Sequence, residues 1–173
     1  NDLPLIEARP FTATLRDRRL AVENLRLALL EEGFLEISGT GRLDGNLDFR
    51  ADGRIPVAVV RSFGVALAET SGAVTLDARL TGPASRPDVD AAVVVSDVGL
   101  LVPGLQQKLS EVNGRLELTA QTLTLEKLEG RLDEGHFSVS GSADLENFQP
   151  KRFSADLDAR QLPISVPDTL DLL

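Results

Sequence analysis

The sequence predicts an all-β chain, built as an antiparallel meander. Three observations carry that reading: apolar and polar residues alternate with a period of two, glycine and proline turn signals recur about every 8–12 residues, and helical patterning is scarce. The alternation is cleanest from Leu35 to Ala51. Every apolar or glycine residue there is odd-numbered (Leu35, Ile37, Gly39, Gly41, Leu43, Gly45, Leu47, Phe49, Ala51), and every polar residue is even-numbered. Strands with one dry face and one wet face require that parity, whereas a helix would scatter the same residues around its circumference.

Seventeen residues is long for one strand, and Asp44-Gly45-Asn46 in its middle is turn chemistry. A three-residue loop there places Leu43 opposite Leu47, so the parity survives the turn. Asp52-Gly53 reads as a second turn. Further strands follow at "AVTLDARL" (Val74, Leu76, Ala78, Leu80), "DVDAAVVV", "GRLELTA" (Leu116, Leu118), "HFSVSGSADL" (Phe137, Val139, Ala143, Leu145) and "RFSADLDA" (Phe153, Ala155, Leu157). Gly82-Pro83, Arg86-Pro87, Pro103-Gly104, Asn113-Gly114 and "NFQPKR" punctuate them. Two stretches admit helix. "PVAVVRSFGVALAET" from Pro56 suits one short helix with Gly64 as a cost, and "LQQKLSEV" from Leu105 reads as two turns or as strand.

An internal repeat links the two ends of the chain. "VENLRLALLEEGFLEISGTGRL" from Val22 aligns with "LEKLEGRLDEGHFSVSGSADL" from Leu125. Leu25, Gly33, Ile37, Gly39 and Leu43 fall on Leu128, Gly135, Val139, Gly141 and Leu145, and "RIPVAV" falls on "QLPISV". The offset is about 103 residues, longer than common solenoid units, and chance similarity among glycine-punctuated strands is the rival explanation. Residues 1–65 are read as the end of one unit and 66–173 as a second, both in one continuous sheet. The opening "NDLPLIEARPF" has neither an initiating Met nor a charged leader, so the chain is expected to be part of a longer protein.

Composition narrows the chemistry. The 173 residues include no Cys, Met, Trp or Tyr and a single His, which excludes disulfides, thiolate nucleophiles and Cys-based metal centres. A net charge of −9 with 4% aromatic residues argues against nucleic acid, which needs a basic patch and stacking platforms. The charge is uneven: residues 1–86 hold 11 basic and 12 acidic side chains, and 87–173 hold 7 and 15. No apolar run is long enough to span a bilayer as a helix. His136 lies on the polar parity with no serine elbow nearby, so a surface histidine is expected. The carboxylates Asp88/Asp90, Asp97, Asp133/Glu134, Asp156/Asp158 and Asp168/Asp171 fit a solvated face better than an acid–base pair or a calcium loop. Gly39-x-Gly41 opens no helix and lacks a third glycine, so it marks a bend or a close approach rather than a phosphate cradle.

The apolar face remains. No amphipathic helix is available to cover it, so the sheet closes on another sheet, folds over itself, or leaves an apolar groove open.

The stretches "SGAVTLDARLTGPASRPDVDAAVVV", "VNGRLELTAQTLTLEKLEGRLDEGHFSVSGSADL" and "FSADLDARQLPISVPDTLDL" resemble, in order and spacing, the AsmA-like superfamily, specifically the C-terminal domain of TamB-type translocation and assembly proteins. The resemblance runs from about Leu20 to the end. It implies a long curved antiparallel sheet folded into a taco- or gutter-shaped hydrophobic groove, stacked in series along an elongated parent protein. It further implies a periplasmic bridge in a diderm bacterium, anchored in the inner membrane outside this stretch, with plastid envelopes as the alternative location. Phospholipid acyl chains, an outer-membrane barrel partner and client barrel proteins are the implied partners, with no catalytic residue and no cofactor.

Two function classes follow. A groove that binds or conducts lipid would be lined by Leu35, Ile37, Leu43, Leu47, Phe49, Phe137, Val139, Leu145, Phe153 and Leu157. A protein-interaction module would accept a client β-strand at an edge or in the groove. A structural spacer is a third reading, and an enzyme a distant fourth. A piece taken from such a stack can pair edge to edge with a second copy, burying surfaces meant for the next unit, so a dimer of this chain is expected to reflect its cut edges rather than the parent protein.

Overall fold

A computed structural model of the chain describes residues 7–8, 10–29, 33–59, 69–101, 107–146 and 149–161. They form one open antiparallel sheet. Its strands are β1 (Glu7–Ala8), β2 (Thr12–Arg16), β3 (Arg19–Ala28), β4 (Phe34–Arg42), β5 (Asn46–Pro56), β6 (Glu69–Pro83), β7 (Asp88–Leu101), β8 (Lys108–Thr119), β9 (Thr122–Leu132), β10 (Gly135–Glu146) and β11 (Gln149–Arg160). From β3 onward each strand pairs with the next in sequence, and β1 and β2 share the far side of β3. The all-β expectation therefore holds, and among the described residues the sole helical piece is a 3₁₀ turn at 57–59.

The alternating stretches from Leu35 to Ala51 make the β4–β5 hairpin, but one residue earlier than the turn chemistry suggests. Gly41, not Leu43, stands opposite Leu47. The loop is 43–45, closed by the Gly45 amide donating to the Arg42 carbonyl at 3.1 Å. Leu43 is thereby lifted off the sheet and is 59% exposed. Asp52-Gly53 makes no turn either. β5 runs straight through it, because Gly53 lies between Leu35 and Leu76 and a Cβ there would sit 3.1 Å from Leu35 Cδ1. Asn113-Gly114 is likewise inside β8.

Asn113 serves a β-bulge. Its side-chain oxygen accepts a hydrogen bond from the Asp97 amide at 2.9 Å, while its amide nitrogen donates to the Glu111 carbonyl. Asp97 and Glu111 both have positive φ, 49° and 53°. Each bulge advances the dry face by three residues instead of two, so Val95 is followed by Val98 in β7. In β3 the pairing skips likewise from Val22 to Leu25, with Asn24 at φ 53°. Bulges bend and twist the strands that carry them, and here they curve the sheet. "LQQKLSEV" resolves on the same principle: Lys108–Val112 opens β8, with Glu111 as its bulge, and not as helix. Of "PVAVVRSFGVALAET", residues 60–68 lie outside the described residues, as do Pro103-Gly104, Asp168 and Asp171.

The core is small and sits at one end. Val57, Val98 and Val112 are buried together, with Val95, Leu100, Leu109, Leu128 and Phe137 packed against them. Val57 directly follows β5, yet its partners belong to β7–β10, so the turn after β5 reaches across the dry face. Elsewhere burial is partial. The surface totals 12340 Å², about one and a half times the roughly 8,200 Å² of a globule of this mass.

The stretches aligned in sequence also share their pairing. Leu25 opposes Ile37 as Leu128 opposes Val139, and Val22 opposes Gly39 as Leu125 opposes Gly141. The bulge falls between those two pairs in both ribbons.

Candidate functional site

Cross-strand pairing converts the parity of single strands into rows that cross the sheet. One row runs Leu25, Ile37, Ala51, Ala78, Ala91, Leu118, Leu123, Ala143, Phe153 from β3 to β11. The next runs Leu27, Leu35, Gly53, Leu76, Val93, Leu116, Leu125, Gly141, Ala155. A third runs Ile55, Val74, Val95, Gly114, Leu128, Val139, Leu157 from β5 to β11. None of the three contains a polar side chain. At 4.8 Å per strand a nine-strand row extends about 38 Å.

Nine of the ten expected lining residues lie in strands on this face, and Leu43 does not. Leu35 and Ile37 stand in adjacent rows, and Leu47 and Phe49 continue toward the 43–45 loop. Phe137, Val139 and Leu145 lie on β10, and Phe153 and Leu157 face them or their neighbours from β11. The middle of the face carries as much apolar surface as its ends: Leu76, Val93, Leu116, Leu118, Leu123 and Leu125 bring β6–β9 into the same floor. Their signal in the sequence is the same alternation that marks the ends.

Glycines shape the floor. A Cβ on Gly39 would lie 2.7 Å from Phe49 Cδ1, one on Gly41 2.9 Å from Phe49 Cε2, and one on Gly130 2.9 Å from Phe137 Cζ. Both phenyl rings thus lie over cross-strand glycines instead of standing up from the sheet. Leu128 likewise leans over Gly114, where an added Cβ would come within 2.7 Å of its Cδ1. Large side chains laid over glycines give a smooth floor and save it from filling with its own substituents.

The opposite face is charged and internally compensated. Arg50 bridges to Asp77 at 3.0 Å, Lys108 to Glu69 at 2.9 Å and Arg115 to Glu117 at 2.8 Å, while Arg26 pairs with Glu36 and lies 5.0 Å from the Phe34 ring centroid. Arg42 donates two hydrogen bonds to Asp44, which hold that carboxyl below its ordinary 3.8. Hydrogen bonding to Glu117 holds the Arg115 guanidinium above its ordinary value. His136 is exposed between Arg131 of β9 and Arg160 of β11, on a shallow recess of about 810 Å³ with Glu111, Glu129 and Asp158 on its walls. Asp133 is engaged structurally: it accepts from the Lys108 amide at 2.8 Å and donates its own amide to the Lys108 carbonyl. Among the described residues no three His, Asp or Glu side chains are grouped to hold a metal ion, and no helix is long and apolar enough to cross a membrane.

No family model matches the chain, and neither a curated protein nor a solved structure matches it.

Proposed function

We propose that the apolar face binds phospholipid acyl chains and conducts them along the sheet. One observation carries the reading: unbroken apolar rows cross the sheet, while only five hydrophobic side chains among the described residues are buried. A monomer rarely leaves so large an apolar surface without an apolar occupant. A floor without hydrogen-bonding groups gives a chain no fixed registration. It holds the chain through burial worth about 0.8 kcal/mol per methylene, so many modest contacts bind while each remains easy to exchange. The charged opposite face keeps the apolar gutter dissolved. No reaction is assigned to the chain. The resemblance to the AsmA-like superfamily supports a periplasmic setting, an inner-membrane-anchored parent, and a role in lipid delivery and outer-membrane protein assembly with a barrel partner.

Native mass spectrometry and lipid extraction of the purified protein test the reading. Co-purifying phospholipid is expected, with crosslinks from photoreactive residues at Leu35, Ile37 and Val139, and its loss in Ile37→Asp or Val139→Asp. Absence of both lipid and crosslinks overturns it. Peptide binding that survives those substitutions would favour the rival reading, in which the module receives β-strands of client barrel proteins.

A further inference from the structure

One row of the wet face leaves its charges uncompensated. Where cations oppose one another elsewhere, carboxylates stand beside them. Arg50 faces Arg79, but Asp77 bridges Arg50 and Asp90 lies across from Arg79. Arg131, His136 and Arg160 face one another across β9–β11, with Glu111 at 4.0 Å from Arg131 and Asp158 at 3.2 Å from Arg160. At the other end of the sheet Arg16 of β2 faces Arg19 of β3, and Arg19 faces Arg42 of β4. Asp44 bridges Arg42 at 3.1 Å and Arg18 at 3.8 Å, yet no carboxylate among the described residues pairs with Arg16 or Arg19. Like charges directly opposite destabilise a sheet, so the row is costly until an anion lies among its guanidinium groups.

Local structure holds the row in place. Asp17 and Arg18 form a two-residue turn, both at positive φ (48° and 61°), which fixes Arg16 and Arg19 as the last pair of their hairpin. The Leu43 amide donates to the Arg18 carbonyl at 2.9 Å and latches the 43–45 loop to that turn, with Arg42 beside Arg19. The three arginines rise from adjacent strands, within about 10 Å of sheet. They border a recess of about 690 Å³, lined by Thr14, Leu15, Arg16, Asp17, Arg19 and Arg42. The dry face ends at the same strand termini: Leu15 faces Leu20, and that row continues through Gly41 to Leu47. Leu15 and Leu43 are both exposed there.

We propose that Arg16, Arg19 and Arg42 bind a phosphate group at this rim, that of a phospholipid whose acyl chains lie on the dry face. The tail half of this assignment rests on the acyl-chain reading above, and the phosphate half on the arginine row alone. Guanidinium groups meet phosphate oxygens through paired N–H···O bonds, and the bound anion removes the repulsion within the row. The apolar floor gives a chain no fixed position. The arginine row supplies one, where a lipid pauses with its headgroup at the rim and its chains over Leu15, Leu20 and Leu47.

Titration of the full chain separates the two halves. Inorganic phosphate should shift the Nε–Hε NMR signals of Arg16 and Arg19. Dihexanoylphosphatidic acid should shift the same signals and bind at least about tenfold more tightly by calorimetry, because its short chains add apolar contact. Dihexanoylglycerol, which lacks the phosphate, should move neither signal. Arg16→Gln with Arg19→Gln should weaken phosphatidic acid binding at least about tenfold, with unchanged far-UV circular dichroism, while Arg86→Gln should have no effect. Without phosphate, Arg19→Gln should raise the urea midpoint, and inorganic phosphate should raise that of the unmodified chain but not of the double variant. No shift at Arg16 and Arg19 with either anion overturns the site, even where phospholipid still co-purifies with the chain. Shifts with phosphatidic acid no tighter than inorganic phosphate overturn the headgroup assignment and leave a site for free phosphate. An equal loss in Arg86→Gln overturns it as well, by showing attraction to charge at large.

Discussion

The ribbons β3–β4–β5 and β9–β10–β11 share a pairing scheme and a bulge but differ in what lies beside them. Ala51 of β5 and Leu157 of β11 both face the same position of the preceding strand, Ile37 and Val139. Ala51 is half-buried because β6 pairs along the whole of β5. Leu157 is exposed because nothing among the described residues lies outside β11. In a single-layer sheet the burial of a side chain is set by its neighbouring strands more than by its own pattern. The second ribbon has a different support: Leu128 and Phe137 pack on the Val57–Val98–Val112 cluster, to which the first ribbon is joined through Val57, the residue after β5.

That comparison can be broken or sharpened by four measurements. The largest effect is expected for Val112→Asp, which puts a charge into the buried cluster. It should cost about 3 kcal/mol or more, read as lost hydrogen-exchange protection in β8–β10 while β3–β5 amides hold. Uniform loss across both ribbons would show that they do not differ in support. Next is Gly39→Ala against Gly141→Ala. Gly39 has φ 148°, and its added Cβ would sit 2.3 Å from the Asp48 carbonyl oxygen in a β5 held on both sides. Gly141 meets the Ser154 carbonyl oxygen at 2.5 Å, but β11 is free to shift. Losses of roughly 2–3 and about 1 kcal/mol are expected from urea unfolding. Phe49→Ala should then cost about 2 kcal/mol, while Phe153→Ala in the isolated monomer costs less than about 0.5.

The smallest effect concerns acid. Arg42 lowers the Asp44 carboxyl below 3.8, so the ionised form is favoured in the folded chain. That contribution is complete above about pH 4 and is lost as the pH falls through the lower, folded value. Asp44→Asn should therefore lower the urea midpoint slightly at pH 7 and not at all well below pH 3. An equal difference at both pH values would show that Arg42 does not act through the charge.

Parity was legible wherever strands ran unbroken. Leu35–Ala51, "AVTLDARL" and "RFSADLDA" show their faces in the sequence because nothing interrupts the period of two. β3 and β9 were harder to read, since Val22-to-Leu25 and Leu125-to-Leu128 are steps of three that imitate a helix. In β3 the step carries Asn24 in a left-handed conformation, which a residue type permits but does not announce. Gly53 misled for a related reason: glycine marks close packing as readily as a turn, and Leu35 decides between them. Nine of the ten expected residues stand on the apolar face, and Leu43 does not, because the loop begins one residue early. The Val57 cluster has no local signature, since it joins segments about 40 and 55 residues apart.

The order of the strands has a mechanical consequence. From β3 to β11 every pairing partner is the next strand in the chain, so tension applied at the ends loads the outermost hairpins first. Each strand can peel away from its neighbour one hydrogen-bonded pair at a time, without shearing the whole sheet. Stability of that kind is close to a sum of nearest-neighbour terms, and it yields gradually from the edges. Under load such a sheet would lengthen by shedding strands, with the Val57 cluster as the last point of resistance.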